Sequence, residues 1–198
     1  MKKFELTTEF ITNAFGKKLF RIKALVEFGD VKAGELGGYV EKEENVSQDG
    51  NAWVSGDARV YGNAWVHGNA KVYDDAWVSD NAKVFDNAEV YGNARVSGDA
   101  RVYGDAWVSG NARVSGNAWV YGDADYALVQ GFGTEFRCTT FYRGKNKKIM
   151  VNCGCFHGDL EGFRKQVKET RNGKIAKEYL MIADLMEYHF TSEDSSDE

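Results

Sequence analysis

Three histidines, three cysteines and a scatter of carboxylates are the side chains in this 198-residue chain best suited to metal binding or proton transfer. Cys153, Cys155 and His157 alternate in the run Cys153-Gly154-Cys155-Phe156-His157, with Cys138 upstream as a further sulfur. Alternate residues of a strand share one side, so this run could present three ligands to a metal. On a straight strand, however, residues two apart stand about 6 to 7 Å from each other, too far for one zinc ion. Buried free thiols are the expected state, with Gly154 and Gly158 as the places where a bend could bring the ligands together. His67 is the candidate general base, but the residue one repeat further along its file is Phe85, which cannot orient an imidazole. Asp74, Asp80 and Asp86, with Asp75, Asn81 and Asn87 beside them, are candidate calcium ligands. None of these sets assembles a reaction centre. We therefore expect no metal and no cofactor, and lean away from an enzyme.

The elements that must position these residues follow from a repeat. From Asn51 the chain falls into twelve hexads that keep step to Tyr121-Gly122, beginning NAWVSG, DARVYG, NAWVHG. Each has a valine, from Val54 to Val120, and an alanine two places before it. Residues two apart in a strand share a face, and these two positions never become polar, so they point inward. Between hexads stands Gly or Asp followed by Asn or Asp, a pair that tolerates left-handed backbone. One hexad is then one side of a triangular coil, and 18 residues return the chain to its starting side. On that geometry Asp74, Asp80 and Asp86 occupy three diverging corners, which favours solvated turns over a calcium site.

The pattern of an aliphatic residue followed four places later by a small one, as in Val54 to Ala58 and Val60 to Ala64, resembles the left-handed parallel β-helix of the hexapeptide-repeat family. The resemblance implies a left-handed parallel β-helix and, commonly, a homotrimer. Its members include acyltransferases, for which His67 would be the base, as well as non-catalytic scaffolds. The opener LGGYVEKEENVS running into GNAWV is also similar to phage and prophage hexapeptide-repeat proteins, which implies a phage-type accessory or anti-defence role in a host cytoplasm.

We expect four segments along the chain. Residues 1–50 form an N-terminal β cap and lead-in, with strand-like runs at Phe4 to Leu6 and Leu19 to Val26. Residues 51–126 form the β-helix of about four coils. Residues 127–191 form a C-terminal α+β cap: a hairpin of Phe136 to Tyr142 and Lys148 to Cys153 around the turn signal Arg143-Gly144-Lys145-Asn146, a helix N-capped by Asp159 with Leu160, Phe163 and Val167 on one side, and a second helix over about Ile175 to Phe190. Residues 192–198, SEDSSDE, form an acidic tail expected to be disordered. The fold class is thus mainly β. No stretch reaches the ~20 apolar residues of a membrane span, and a cytoplasmic location is expected.

Adding 18 sorts the outward residues into three faces. One carries Trp65, Lys83, Arg101 and Trp119 beside His67, Phe85, Tyr103 and Tyr121, an aromatic and cationic wall. A second carries Arg59, Trp77, Arg95 and Arg113 beside Tyr61, Ser79, Ser97 and Ser115. The third is mixed, with Trp53, Lys71, Glu89 and Trp107. A large exposed apolar patch calls for a cover, so the first wall reads as a subunit interface or as a ligand platform where rings stack on a base and Lys83 and Arg101 meet phosphate. Between Asn51 and Tyr126 six basic residues face ten acidic ones, the wrong sign for long nucleic acid. The leading expectation is a non-catalytic binding protein that sequesters a small anionic nucleotide-like ligand or blocks a host protein. An acyltransferase and an oligomerisation scaffold are the alternatives.

Overall fold

A computed structural model describes residues 2–145 and 147–191; the expected acidic tail, 192–198, and Asn146 lie outside them. The chain opens with β1 (Phe4–Thr12) and β2 (Lys18–Ala24), an antiparallel hairpin, and β3 (Leu36–Val40). Twelve two-residue strands follow, one per hexad: β4 (Trp53–Val54), β5 (Arg59–Val60), β6 (Trp65–Val66), β7 (Lys71–Val72), β8 (Trp77–Val78), β9 (Lys83–Val84), β10 (Glu89–Val90), β11 (Arg95–Val96), β12 (Arg101–Val102), β13 (Trp107–Val108), β14 (Arg113–Val114) and β15 (Trp119–Val120). Each pairs in parallel with the strand 18 residues on, giving the sheet orders β4-β7-β10-β13, β5-β8-β11-β14 and β6-β9-β12-β15. This is a parallel β-solenoid, and the reason is the inward pair. Every hexad alanine and valine from Ala52 to Val120 is at most 1% exposed, and burying each valine is worth on the order of 1.5 to 3 kcal/mol.

The solenoid has about five turns, not four. Residues 36–46 form an extra leading turn, because β3 pairs in parallel with β5 and Val46 bridges to Val66. The repeat is disguised there. Gly38 stands where a hexad would have alanine, and a Cβ on it would lie 2.7 Å from the Ala58 carbonyl oxygen. Glu44, exposed, stands at the next alanine position, while Asn45 beside it is fully buried and donates through Nδ2 to the carbonyls of Gly62 and Ala64. A two-residue slip before β4 then shifts the register from 20 residues to 18. The hairpin covers the free edge of the first turn on one face: β2 pairs antiparallel with β3, continuing the sheet in the order β1-β2-β3-β5-β8-β11-β14, and Phe4, Ile22 and Ala24 join the solenoid core.

Parallel stacking makes the two ends chemically opposite. The N–H groups of outward and corner residues donate forward to the next turn, as Trp53 does to Ala70, so the first turn is left with an excess of carbonyls and the last with an excess of N–H groups. At the first turn, donors arrive: Lys3 Nζ reaches the carbonyls of Ala52 at 2.9 Å and Gly50 at 3.2 Å. At the last, acceptors arrive. Asp123 accepts from the Trp107 N–H, Thr140 Oγ1 from the Arg113 N–H and Asp125 from the Tyr121 N–H. Corners are tied in the same way, since Asp74, Asp80 and Asp86 adopt positive φ near 60° and accept from the N–H of Gly92, Gly98 and Gly104 one turn on. They are exposed but bonded corners rather than merely solvated ones.

Beyond the solenoid the chain forms an antiparallel sheet β16-β17-β18-β19, comprising β16 (Tyr126–Phe132), β17 (Arg137–Arg143), β18 (Ile149–Cys153) and β19 (Phe156–Asp159), followed by α1 (Leu160–Thr170) and α2 (Gly173–Thr191). The expected hairpin is its central pair, β17 and β18, and two further strands flank it. Asp159 caps α1 by accepting from the Gly162 N–H. Neighbouring residues of β17 face opposite ways: Tyr142 closes the solenoid core, and Phe141 joins Val151, Phe163, Tyr179 and Met186 in a second core under the helices. α2 leaves Met181, Leu185 and Tyr188 exposed.

Candidate functional site

The sheet β6-β9-β12-β15 brings together all eight residues of the expected wall. Repetition at one turn places ring on ring. His67 stacks on Phe85 with centroids 4.9 Å apart and planes within 3°, and Phe85 on Tyr103 at 5.0 Å and 10°. Trp65 closes one end by stacking on His67 at 3.9 Å. At the other end Tyr121 and Trp119 meet Tyr103 edge-on. The cations lie along the indoles: Lys83 stands 5.8 Å from the centroid of Trp65, while Arg101 and Lys145 stand 5.2 Å and 6.0 Å from that of Trp119.

This arrangement decides what the wall can do. The central rings already cover one another, so no gap between turns admits a third ring, and outward they present edges. Free ring surface remains at Trp65 and Tyr121, the exposed ends of the column. His67 is held between two rings, with no carboxylate hydrogen-bonded to its imidazole among the described residues. Burial lowers its pKa below the ordinary histidine value, with Asp86 opposing and Lys83 adding to that shift. An imidazole so placed stays neutral at pH 7 and lacks the partner that a general base needs.

On the arginine-bearing face, the sheet β5-β8-β11-β14, Trp77 is sandwiched between Arg59 at 5.0 Å and Arg95 at 4.4 Å. The third face is less exposed than its sequence suggests. Trp53 is buried, edge-on to Phe4 and Phe28, because the N-terminal segment covers it. Tyr73 stacks on Tyr91 and donates to Glu89 at 2.8 Å, and its burial and that carboxylate push its pKa up.

The cysteine run does not lie on one strand. Cys153 ends β18 and pairs with Phe156 at the start of β19, so Gly154 and Cys155 form a two-residue turn with Gly154 at φ 61°. The chain reverses between the expected ligands. Cys155 is exposed at the turn, Cys153 accepts from Thr139 Oγ1 at 3.1 Å, and burial raises the Cys138 pKa. Among the described residues no three His, Cys, Asp or Glu side chains are grouped to hold a metal ion.

His157 instead joins a cluster that sequence reasoning missed, at the junction of the solenoid and the C-terminal sheet. Its Nδ1–H donates to Asn152 Oδ1 at 2.7 Å. Asn152 Nδ2 in turn donates to the Arg113 carbonyl and to Ser115 Oγ. Ser115 Oγ and Tyr142 Oη approach the same ring nitrogen at 3.4 and 3.5 Å. Because that nitrogen carries the proton donated to Asn152, it cannot take one from Ser115, so the cluster is a structural clamp and not a nucleophile with its base. The Asn152–His157 cross-strand pair was discoverable from the Gly154-Cys155 turn, a short hairpin signal with glycine at positive φ.

No curated protein matches the chain. A family model does: residues 52–68, 88–104, 94–110 and 106–122 match the YdcK beta solenoid repeat, segments that lie within the stacked turns bearing the aromatic column. Residues 52–68 and 88–122 are thus similar to β-solenoid repeats of the YdcK type.

Proposed function

We propose that the protein is a non-catalytic binding protein whose β6-β9-β12-β15 face docks on the flat surface of a partner protein. The observation that supports this is the pre-stacked column Trp65, His67, Phe85, Tyr103 with Lys83 and Arg101 laid on its terminal indoles. A column whose rings are already stacked loses little side-chain freedom on docking, and edge-presenting aromatics flanked by cations suit a protein surface better than a base seeking ring faces. The similarity of the opener to phage hexapeptide-repeat proteins makes a host protein, blocked by this face, the partner of choice.

Self-assembly is the second reading. Identical rings at one-turn spacing offer neighbouring copies matching strips, as in a homotrimer of about three times 22.1 kDa. Light scattering after gel filtration separates the two, followed by capture of host-cell proteins on immobilised wild type, Trp65→Ala/Tyr121→Ala and Arg101→Gln. A monomer that retains a defined host protein, lost in the variants, supports docking. A trimer that becomes monomeric in the variants makes the face a subunit interface and overturns partner docking there. Acyl-donor turnover abolished by His67→Ala would overturn the non-catalytic reading.

A further inference from the structure

The arginine-bearing face holds a feature unrelated to the docking column. A cleft of about 570 Å³, within the range of small-ligand sites, lies between the β1–β2 turn and the sheet β5-β8-β11-β14. Phe15, at the tip of that turn, is 78% exposed, a high cost for a phenyl ring held over solvent. With Tyr61 it gives one end of the cleft an aromatic lining. The other end is cationic and hydroxylic: Arg95, with Ser79 and Ser97 beside it.

The electrostatics of this cleft are specific. Arg95, like Arg59, Arg101 and Arg113 and unlike Arg21, Arg143 and Arg164, has no carboxylate partner among the described residues. Its guanidinium is held in place by the Trp77 ring at 4.4 Å, which fixes its plane and leaves its N–H edges for a ligand. The hydroxyls of Ser79, which is buried, and Ser97 have no hydrogen-bond partner among the described residues. Lys17 also lines the cleft but is neutralised by Glu41 at 3.0 Å, and Asp80 stands at the corner. One unpaired cation near a carboxylate fits one phosphate, not a polyphosphate chain.

We propose that this cleft binds a planar aromatic phosphomonoester of nucleoside monophosphate size, with its ring against Phe15 and Tyr61 and its phosphate on Arg95, Ser79 and Ser97. Both faces of Trp77 are covered by arginines, so the ring sits against Phe15 and Tyr61 rather than on the indole.

The test is a titration of the full-length isotope-labelled protein with AMP, UMP, adenosine and inorganic phosphate, followed by amide chemical shifts. Saturable shifts at Gly62, Ser79 and Ser97 with AMP or UMP are expected. Arg95→Gln weakens nucleotide binding about ten-fold, the loss of one charge-assisted contact, and leaves adenosine unaffected. Phe15→Ala weakens AMP and adenosine but not phosphate. Arg101→Gln, on the docking face, changes nothing, which separates failure here from failure of the docking proposal. No saturable shift in the cleft at millimolar nucleotide, or equal affinity in wild type and Arg95→Gln, overturns the proposal.

Discussion

Lys3 gives a sharp test of the end-capping logic. Its ammonium is drawn into the first turn to satisfy the carbonyls of Gly50 and Ala52 and lies 4.7 Å from the Phe28 ring centroid. The residue is only 4% exposed. Desolvation lowers its pKa from 10.5 to about 8, against the opposing pull of Asp49. Between pH 8 and 10.5 the folded protein has released a proton that the unfolded chain still holds, so stability rises with pH in that window and is flat below it. At 1.36 kcal/mol per pKa unit, moving from pH 7 to 9.5 adds about 2 kcal/mol. That range stops short of the ordinary tyrosine pKa, above which the raised values of Tyr73 and Tyr142 act in the opposite direction; the raised Cys138 pKa opposes the rise near the top of the range, equally in wild type and in Lys3→Met. Urea unfolding at intervals from pH 7 to 9.5, on wild type and Lys3→Met, isolates the effect. Lys3→Met leaves two carbonyls without their Nζ donor, a loss of about 1 to 3 kcal/mol at pH 7, and its stability lacks the rise. If the two proteins keep parallel pH profiles, the ammonium is not desolvated at this end and the reasoning fails.

Three further perturbations probe the same architecture. Gly38→Ala puts a methyl 2.7 Å from a backbone oxygen and 2.8 Å from Val54 Cγ1, so the leading turn must shift; we expect about 1 to 3 kcal/mol of destabilisation and faster hydrogen exchange at Tyr39 and Glu41. Asp80→Ala retains positive φ without the bond to the Gly98 N–H and loses about 2 kcal/mol in thermal or urea unfolding, whereas Asp80→Gly loses less because glycine relieves the backbone strain. The His67 imidazole titrates by NMR with a midpoint below the ordinary histidine value. Since the unfolded chain takes up that proton first as pH falls, the histidine reduces stability below about pH 6.5, and His67→Phe removes this component.

How much of this was legible beforehand depends on whether a feature recurs. The hexads announced the solenoid, its inward Ala and Val and the membership of each outward face, because an 18-residue turn makes distance in sequence equal to position in space. The same arithmetic assembled the aromatic column residue by residue. It failed where the repeat is disguised: Gly38 and Glu44 replace alanine in the first turn, so about four turns were expected where about five exist. It failed again at Trp53, outward by register yet buried, since the segment that covers it is not part of the repeat.

The C-terminal cysteines show the other limit. Alternation in Cys153, Cys155 and His157 is a statement about one straight strand, and a two-residue turn at Gly154-Cys155 cancels it. What the sequence determined by itself is the local and periodic part: strand, corner, inward pair and face, each dictated by sterics within six residues. Only tertiary structure decided that the rings of the wall consume one another's faces, that Arg95 is left unpaired above a cleft, and that carbonyls at one end and N–H groups at the other summon Lys3, Asp123 and Thr140. These depend on which groups meet across the fold, and the unsatisfied backbone of a parallel stack becomes visible only once its ends are located.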